Sequence, residues 1–129
     1  MVNTMWFKAG VFRNETQLLE ASKELDALEK EYAHCYVGDA SHVYNTAFSQ
    51  YIELGNLLQI AHAIVQGALA RKESRGGHSR RDYPKRDDKN FLKHTLIFKD
   101  KRRENTVRNT RMSSLRNISR RKGSTDYGC

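Results

Sequence analysis

Proline is almost missing from this 129-residue chain: Pro84 is the only one, and it biases Tyr83 toward an extended conformation. Cysteine is nearly as scarce. Cys35 and Cys129 make neither a disulfide framework nor a metal-binding spacing, so a reducing compartment is the default. No apolar run approaches the ~20 residues a membrane span needs. The best, from Leu57 to Leu69, is interrupted by Gln59, His62 and Gln66. The first residues, Met-Val-Asn-Thr-Met-Trp-Phe-Lys, lack the basic-then-apolar order of a signal peptide. There is no Gly-x-Gly-x-x-Gly, no P-loop, no His-Glu-x-x-His and no internal repeat. Histidines 34, 42, 62, 78 and 94 include no pair at i, i+4, so no metal site is expected.

What is present is charge, unevenly placed. The net charge is +8. Residues 99–129 hold ten Lys/Arg against Asp100, Glu104 and Asp126, whereas residues 1–98 hold thirteen against twelve acids. The folded part is therefore close to neutral, and the basic character belongs to a solvated tail over 99–129. A nucleic-acid binder acting through that tail is the weakest of the functional readings. The apolar fraction of 38% and mean hydropathy of −0.79 suit one small helical domain with much polar surface.

The pattern is that of helices. Residues 3–12 read as a short apolar helix, too short to stand in water without a partner surface. Asn14-Glu15-Thr16-Gln17 has the form of a capping box. Behind it Leu18, Ala21, Leu25, Leu28, Tyr32 and Cys35 recur at alternating spacings of three and four, the narrow stripe of a helix over 14–37. Cys35 belongs to that stripe as a core thiol, and Gly38 offers a left-handed stop. A second helix over 42–74 places Leu54, Leu57, Leu58, Ile60, Ala61, Ile64, Val65, Ala68 and Leu69 over about half its circumference. So wide a face calls for two partners, which makes this helix the central member of a bundle. His62 falls at the edge of that arc. Arg71 and Lys72 fit a last turn and Gly76-Gly77 a stop.

Residues 71–94 then interleave Arg, Asp, Glu and His with Tyr83 and Phe91. Planar guanidiniums and carboxylates in such density suit bidentate pairing against a neighbouring surface. Thr95–Phe98 reads as a short strand that Thr106-Val107-Arg108 could join across a polar turn. Beyond Thr110 no pattern predicts a fold.

Three pieces, in order, carry a resemblance. Residues 71–88 read Arg-Lys-Glu-Ser-Arg-Gly-Gly-His-Ser-Arg-Arg-Asp-Tyr-Pro-Lys-Arg-Asp-Asp, followed by Phe91-Leu92-Lys93-His94-Thr95. Upstream stand Met5-Trp6-Phe7-Lys8-Ala9-Gly10-Val11-Phe12-Arg13 and Glu53-Leu54-Gly55-Asn56-Leu57-Leu58. Together they resemble the C-terminal domain of the succinate dehydrogenase/fumarate reductase flavoprotein subunits. L-aspartate oxidase shares the first part of the long string; Arg86-Asp87-Asp88 with the Phe91–Thr95 run favours the succinate/fumarate branch.

The resemblance implies an all-α fold: an antiparallel, spectrin-repeat-like three-helix bundle with a truncated first helix, then an extended or hairpin segment. The FAD and capping domains lie elsewhere in such a subunit. FAD is expected to be bound there rather than by this chain, which by itself should be inactive and have no catalytic residues. Partners implied are those two domains and an iron–sulfur subunit. The expected location is cytoplasmic, peripheral to the inner face of a membrane, without direct insertion. The strip facing the FAD domain would use Arg71, Glu73, Arg75, His78, Arg80, Asp82, Arg86, Asp87, Asp88 and His94. The open alternative is a stand-alone helical interaction module, and self-association of the lone chain is expected from the width of the second helix.

Overall fold

The computed structural model describes residues 1–39, 41, 43–99 and 107–113, with Lys99 and 107–113 described by their backbone alone. Its elements are α1 (Val2–Lys8), β1 (Phe12–Arg13), α2 (Glu15–His34), α3 (Thr46–Ala70), β2 (Ser79–Arg80), α4 (Asp88–Phe91), β3 (His94–Lys99) and β4 (Val107–Ser113). Helices dominate, and the β component is small and open.

The expected cap starts α2. Asn14 is extended and its Oδ1 accepts the Gln17 N–H at 2.7 Å, satisfying one of the helix's orphan donors. The narrow stripe behind it then buries Leu18, Ala21 and Leu25 against Leu58, Ala61, Val65 and Ala68 of α3, with Ala9 closing one end. Each fully buried leucine contributes about 2 kcal/mol. Leu28 and Tyr32 continue the stripe as half-buried residues.

Near its C-terminus α2 departs from expectation. It stops at His34, and Cys35 is an extended, exposed cap residue rather than a core thiol. The left-handed Gly38 stop is not used: Tyr44 and Gly76 are the residues at positive φ among those described. The reason lies one turn earlier. Tyr32 stacks on Tyr51, with ring centroids 4.6 Å apart, and its hydroxyl donates to the Tyr51 carbonyl at 3.1 Å. That pair completes the α2–α3 contact before position 35 is reached.

Helix α3 begins at Thr46, four residues later than the expected 42. Asn45 accepts the Phe48 N–H at 2.8 Å as its N-cap. It ends at Ala70 rather than near 74, because Arg71 turns away to reach Glu73 and the chain beyond. Gly55 explains a small residue in mid-helix: a Cβ there would lie 2.5 Å from the Tyr32 hydroxyl oxygen.

The wide face of α3 divides in two. Leu58, Ala61, Val65 and Ala68 meet α2, whereas Leu57, Ile60 and Ile64 remain 42%, 55% and 43% exposed. The helix at the N-terminus runs to Lys8, not to 12; Lys8 Nζ bridges Glu24 at 2.5 Å and Glu20 at 3.1 Å, and Thr4 donates to Glu24 at 2.7 Å. Residues 12–13 are extended instead and pair in parallel with Ser79–Arg80. An apolar groove of about 350 Å³ runs between α1 and α3, lined by Met5, Trp6, Leu57, Ile60 and Ile64 among others.

β3 spans His94–Lys99 and pairs antiparallel with β4, Thr95 opposite Met112 and Ile97 opposite Thr110, with an irregularity at Phe98/Lys99. The hairpin lies along α3. β4 continues to Ser113 inside the stretch read as a basic tail; apart from Lys99 and this strand, that stretch lies outside the described residues.

Candidate functional site

The charged strip is largely folded in on itself. Just past α3, Glu73 is fully buried and surrounded by donors. Arg71 Nη1 donates to Oε1, Arg75 Nε to Oε1 at 2.8 Å and Nη2 to Oε2 at 3.1 Å, and the Asp87 N–H to Oε2 at 2.8 Å. Burial pushes this carboxyl up. The hydrogen bonds from Arg75, Asp87 and Arg71 outweigh it and hold the group at about 2. Buried charges survive only when paired and hydrogen-bonded, and Glu73 has both.

Each partner ties the carboxylate to a different segment. Arg71 also donates to the Phe91 carbonyl at 3.1 Å and to the Lys93 carbonyl at 2.5 Å, linking α3 to the approach to β3. Arg75 reaches Asp88 Oδ1 at 2.5 Å, where Arg86 Nε also donates at 2.7 Å. Asp87 caps α4 by accepting the Lys89 and Asn90 N–H groups, both at 3.0 Å. Gly76 lets the chain reverse: at φ +58° it sits in the turn where Arg75 and His78 exchange backbone hydrogen bonds.

Arg80 is the second hub, and its side chain is fully buried too. It grips Asp82 through two parallel bonds, Nε to Oδ1 at 2.7 Å and Nη2 to Oδ2 at 2.5 Å. Nη1 donates to the Ala68 carbonyl at 2.9 Å, satisfying one of the last acceptors of α3. Asp82 in turn accepts the Glu15 N–H at the start of α2, at 3.2 Å. One ion pair therefore complements the C-terminal end of α3 and the N-terminal end of α2. The arginine cation also lies 5.2 Å from the Tyr83 ring centre.

His78 links the first hub to β1. Nε2 faces the Arg71 carbonyl at 3.1 Å and Nδ1 faces Arg13 Nη1 at 3.0 Å. A carbonyl accepts and a guanidinium donates, so the ring is neutral with its proton on Nε2. Burial lowers its pKa below the usual histidine value; the nearby cations of Arg13, Arg80 and Arg71 act in the same direction, against the bond to the Arg71 carbonyl.

The ten strip residues thus separate. Glu73 and Arg80, expected as partners for a neighbouring surface, have no surface to offer, because their charge is consumed inside the chain. Asp87 is a cap and His78 a bridge. Arg86, Asp88, Asp82 and His94 are exposed, and Arg71 and Arg75 line a recess of about 460 Å³ with Phe91, Leu92 and Lys93. A second outward feature escaped the sequence reading. Trp6, Phe7, Val11 and Phe12 form an exposed apolar ridge beside Arg81, whose cation lies 5.7 Å from the Phe12 ring centre. The signal available for it was the short apolar stretch 3–12, too short to be stable alone.

Residues 1–122 match the family described as "Fumarate reductase flavoprotein C-term". The chain belongs to this family. The 8-methylmenaquinol:fumarate reductase flavoprotein subunit of Wolinella succinogenes is 46% identical over 95 residues, 74% of this chain and 16% of that one. The succinate dehydrogenase flavoprotein subunit of Coxiella burnetii is 41% identical over 91 residues, 70% of this chain and 16% of that one. A solved E. coli quinol fumarate reductase chain superposes with a TM-score of 0.81 at 35% identity, over 87% of this chain and 19% of that chain. The chain thus spans about a sixth of the length of these curated relatives. The strings quoted above have physical roles here: Lys8 and Arg13 anchor α1 and β1, Gly55 admits Tyr32, and the 71–88 string builds the two buried hubs.

Proposed function

We propose that this chain serves as the helical brace of a succinate dehydrogenase/fumarate reductase flavoprotein subunit. It packs against the FAD and capping domains, supports succinate/fumarate interconversion and electron transfer to an iron–sulfur subunit, and contributes no catalytic group of its own. FAD belongs to the parent subunit. The assembly is peripheral to the cytoplasmic face of a membrane; among the described residues no helix is long and apolar enough to cross one.

The observation that carries this reading is the division of the strip. Its inward charges are neutralised within the chain, which makes a rigid platform, while Arg86, Asp88 and His94 stay outside, with the recess lined by Arg71 and Arg75 nearby. A surface built on internally satisfied ion pairs is pre-organised for docking, which lowers the ordering cost on association.

The test is reconstitution. The chain is mixed with the FAD and capping region of a flavoprotein that lacks its own C-terminal domain, and succinate–dye reductase activity is measured. Activity should rise on mixing, and Arg86→Glu with His94→Glu should weaken the complex at least tenfold. No complex and no gain in activity from folded partners would overturn the proposal.

A further inference from the structure

Away from the strip, on the flank of the α2–α3 contact, one buried ring nitrogen lacks a hydrogen bond. His62 is only 6% exposed, and among the described residues its Nε2 has no hydrogen bond. An imidazole nitrogen left in this state costs about as much as a lost hydrogen bond, so its surroundings need an explanation. Two carboxylates of α2 supply one. Glu29 Oε2 lies 3.5 Å from Nε2, and Asp26 Oδ1 lies 4.0 Å from Nδ1. One ligand atom from each of the three residues lies within 4.8 Å of the other two.

We propose that Asp26, Glu29 and His62 form a binding site for a divalent first-row transition metal, with Zn²⁺ the best fit. Asp26 and Glu29 are three residues apart on α2, so they project from the same face of the helix. His62 meets them from α3. Two ligands bound at about 2.1 Å to a tetrahedral ion stand about 3.4 Å apart, close to the 3.5 Å between Glu29 and His62. That separation is long for a hydrogen bond and right for a shared ion. Asp26 lies on the Nδ1 side of the ring and is more exposed than Glu29, with 58% of its side chain accessible against 19%, so its carboxylate reaches an ion on Nε2 by swinging round from the solvent side.

The donor set favours this class of metal. A neutral imidazole suits Zn²⁺, Ni²⁺ and Cu²⁺, while Mg²⁺ and Ca²⁺ prefer oxygen alone. Two carboxylates neutralise the dication, and water completes the shell. The ion would join α2 to α3 beside the Ser22–Gln66 contact, where Gln66 Nε2 donates to the serine hydroxyl at 3.4 Å. Its effect is a staple in a small domain, where one cross-link counts for a large part of the total stability.

The experiment uses the full chain, stripped with EDTA and titrated with Zn²⁺ alone. One ion per chain should bind at micromolar affinity or better. At 100 times Kd, the melting temperature should rise by about 10 °C. The ¹⁵N resonance of His62 Nε2 should move on binding. Glu29→Gln and His62→Gln should each weaken binding at least tenfold, while His34→Gln, exposed at the end of α2, should leave it unchanged. Glu29→Gln removes a partly buried surface carboxylate, so it tests the site even if the His62 variant misfolds. Binding that survives Glu29→Gln unchanged would overturn the proposal. So would the absence of saturable binding below millimolar Zn²⁺.

Discussion

Arg80 donates its Nη1 hydrogen to the carbonyl oxygen of Ala68 at 2.9 Å, placing a buried cation on the C-terminal end of α3. The rest of the guanidinium is held by Asp82 in a two-bond fork. Arg80→Ala should therefore cost about 3 kcal/mol or more, since it leaves an acceptor and a carboxylate without their partner. Arg80→Lys should recover little, because an ammonium cannot make the fork and reach Ala68 at once. Urea denaturation followed by circular dichroism measures both.

Glu73 gives the strip its dependence on acid. Its folded pKa, about 2, lies below the ordinary 4.5, so the ionised form is the stabilising one. The contribution is complete above pH 4.5 and is lost as pH falls from there toward 2. Glu73→Gln should cost about 3 kcal/mol at neutral pH, because Arg71 and Arg75 lose a buried counter-charge. The gap in melting temperature between variant and wild type should close as the pH is lowered through that window. A gap independent of pH would show that the loss is one of packing alone.

His78 adds a second, milder limb. Its folded pKa is shifted below 6.5, chiefly by burial, so the neutral ring is the stabilising form. Stability from this group is present above pH 6.5 and declines as pH falls through the folded value. Nuclear magnetic resonance should find a titration midpoint below 6.5 and the proton on Nε2 in the neutral ring. A midpoint above 6.5 would contradict the burial of the ring and the cation of Arg13 beside it.

Much of this fold can be read from local rules, and the departures have common causes. The Asn14 cap and the Leu18–Leu25 stripe depend on neighbours within a few residues, and α2 follows them. Its far end does not, because the Tyr32–Tyr51 stack that finishes the contact is a tertiary event. The strip was legible as a place of dense charge pairing but not as to its direction. A glutamate is rarely buried, so nothing local marks Glu73 as the centre of a cage. The parallel pairing of Phe12–Arg13 with Ser79–Arg80 joins segments far apart in sequence and too short to carry a strand pattern. The Asp26–Glu29–His62 cluster is hidden for the same reason: i, i+4 spacing marks ligands on one helix, and this site crosses between two.

Gly55 tests how closely α2 and α3 fit. In an exposed helix, Gly→Ala stabilises by up to about 1 kcal/mol. Here the new Cβ would stand 2.5 Å from the Tyr32 oxygen and 2.8 Å from Cζ, and that ring is held by its stack and its hydrogen bond. Overpacking of this kind costs about 1–3 kcal/mol, so Gly55→Ala should be destabilising on balance. In a Tyr32→Leu background the clash is gone and the same substitution should turn stabilising. The change of sign in a double-mutant cycle is the measurement.

The outward half of α3 decides how the chain behaves alone. Leu57, Ile60 and Ile64 are each more than two-fifths exposed and share a groove with Trp6, which is 76% exposed. Contiguous apolar surface of this kind marks a contact left open. Two copies can shield it from water, so the isolated chain should self-associate at micromolar concentrations. Leu57→Gln with Ile60→Lys should return it to a 14.9 kDa monomer by light scattering after gel filtration. Because both side chains already face solvent, each replacement should change unfolding stability by only about 0.5 kcal/mol. Gel filtration and melting therefore separate the two halves of the helix: the inner half should govern stability, and the outer half self-association. A wild-type chain that stays monomeric at these concentrations and melts in one sharp, high transition would refute the assignment of the outer half.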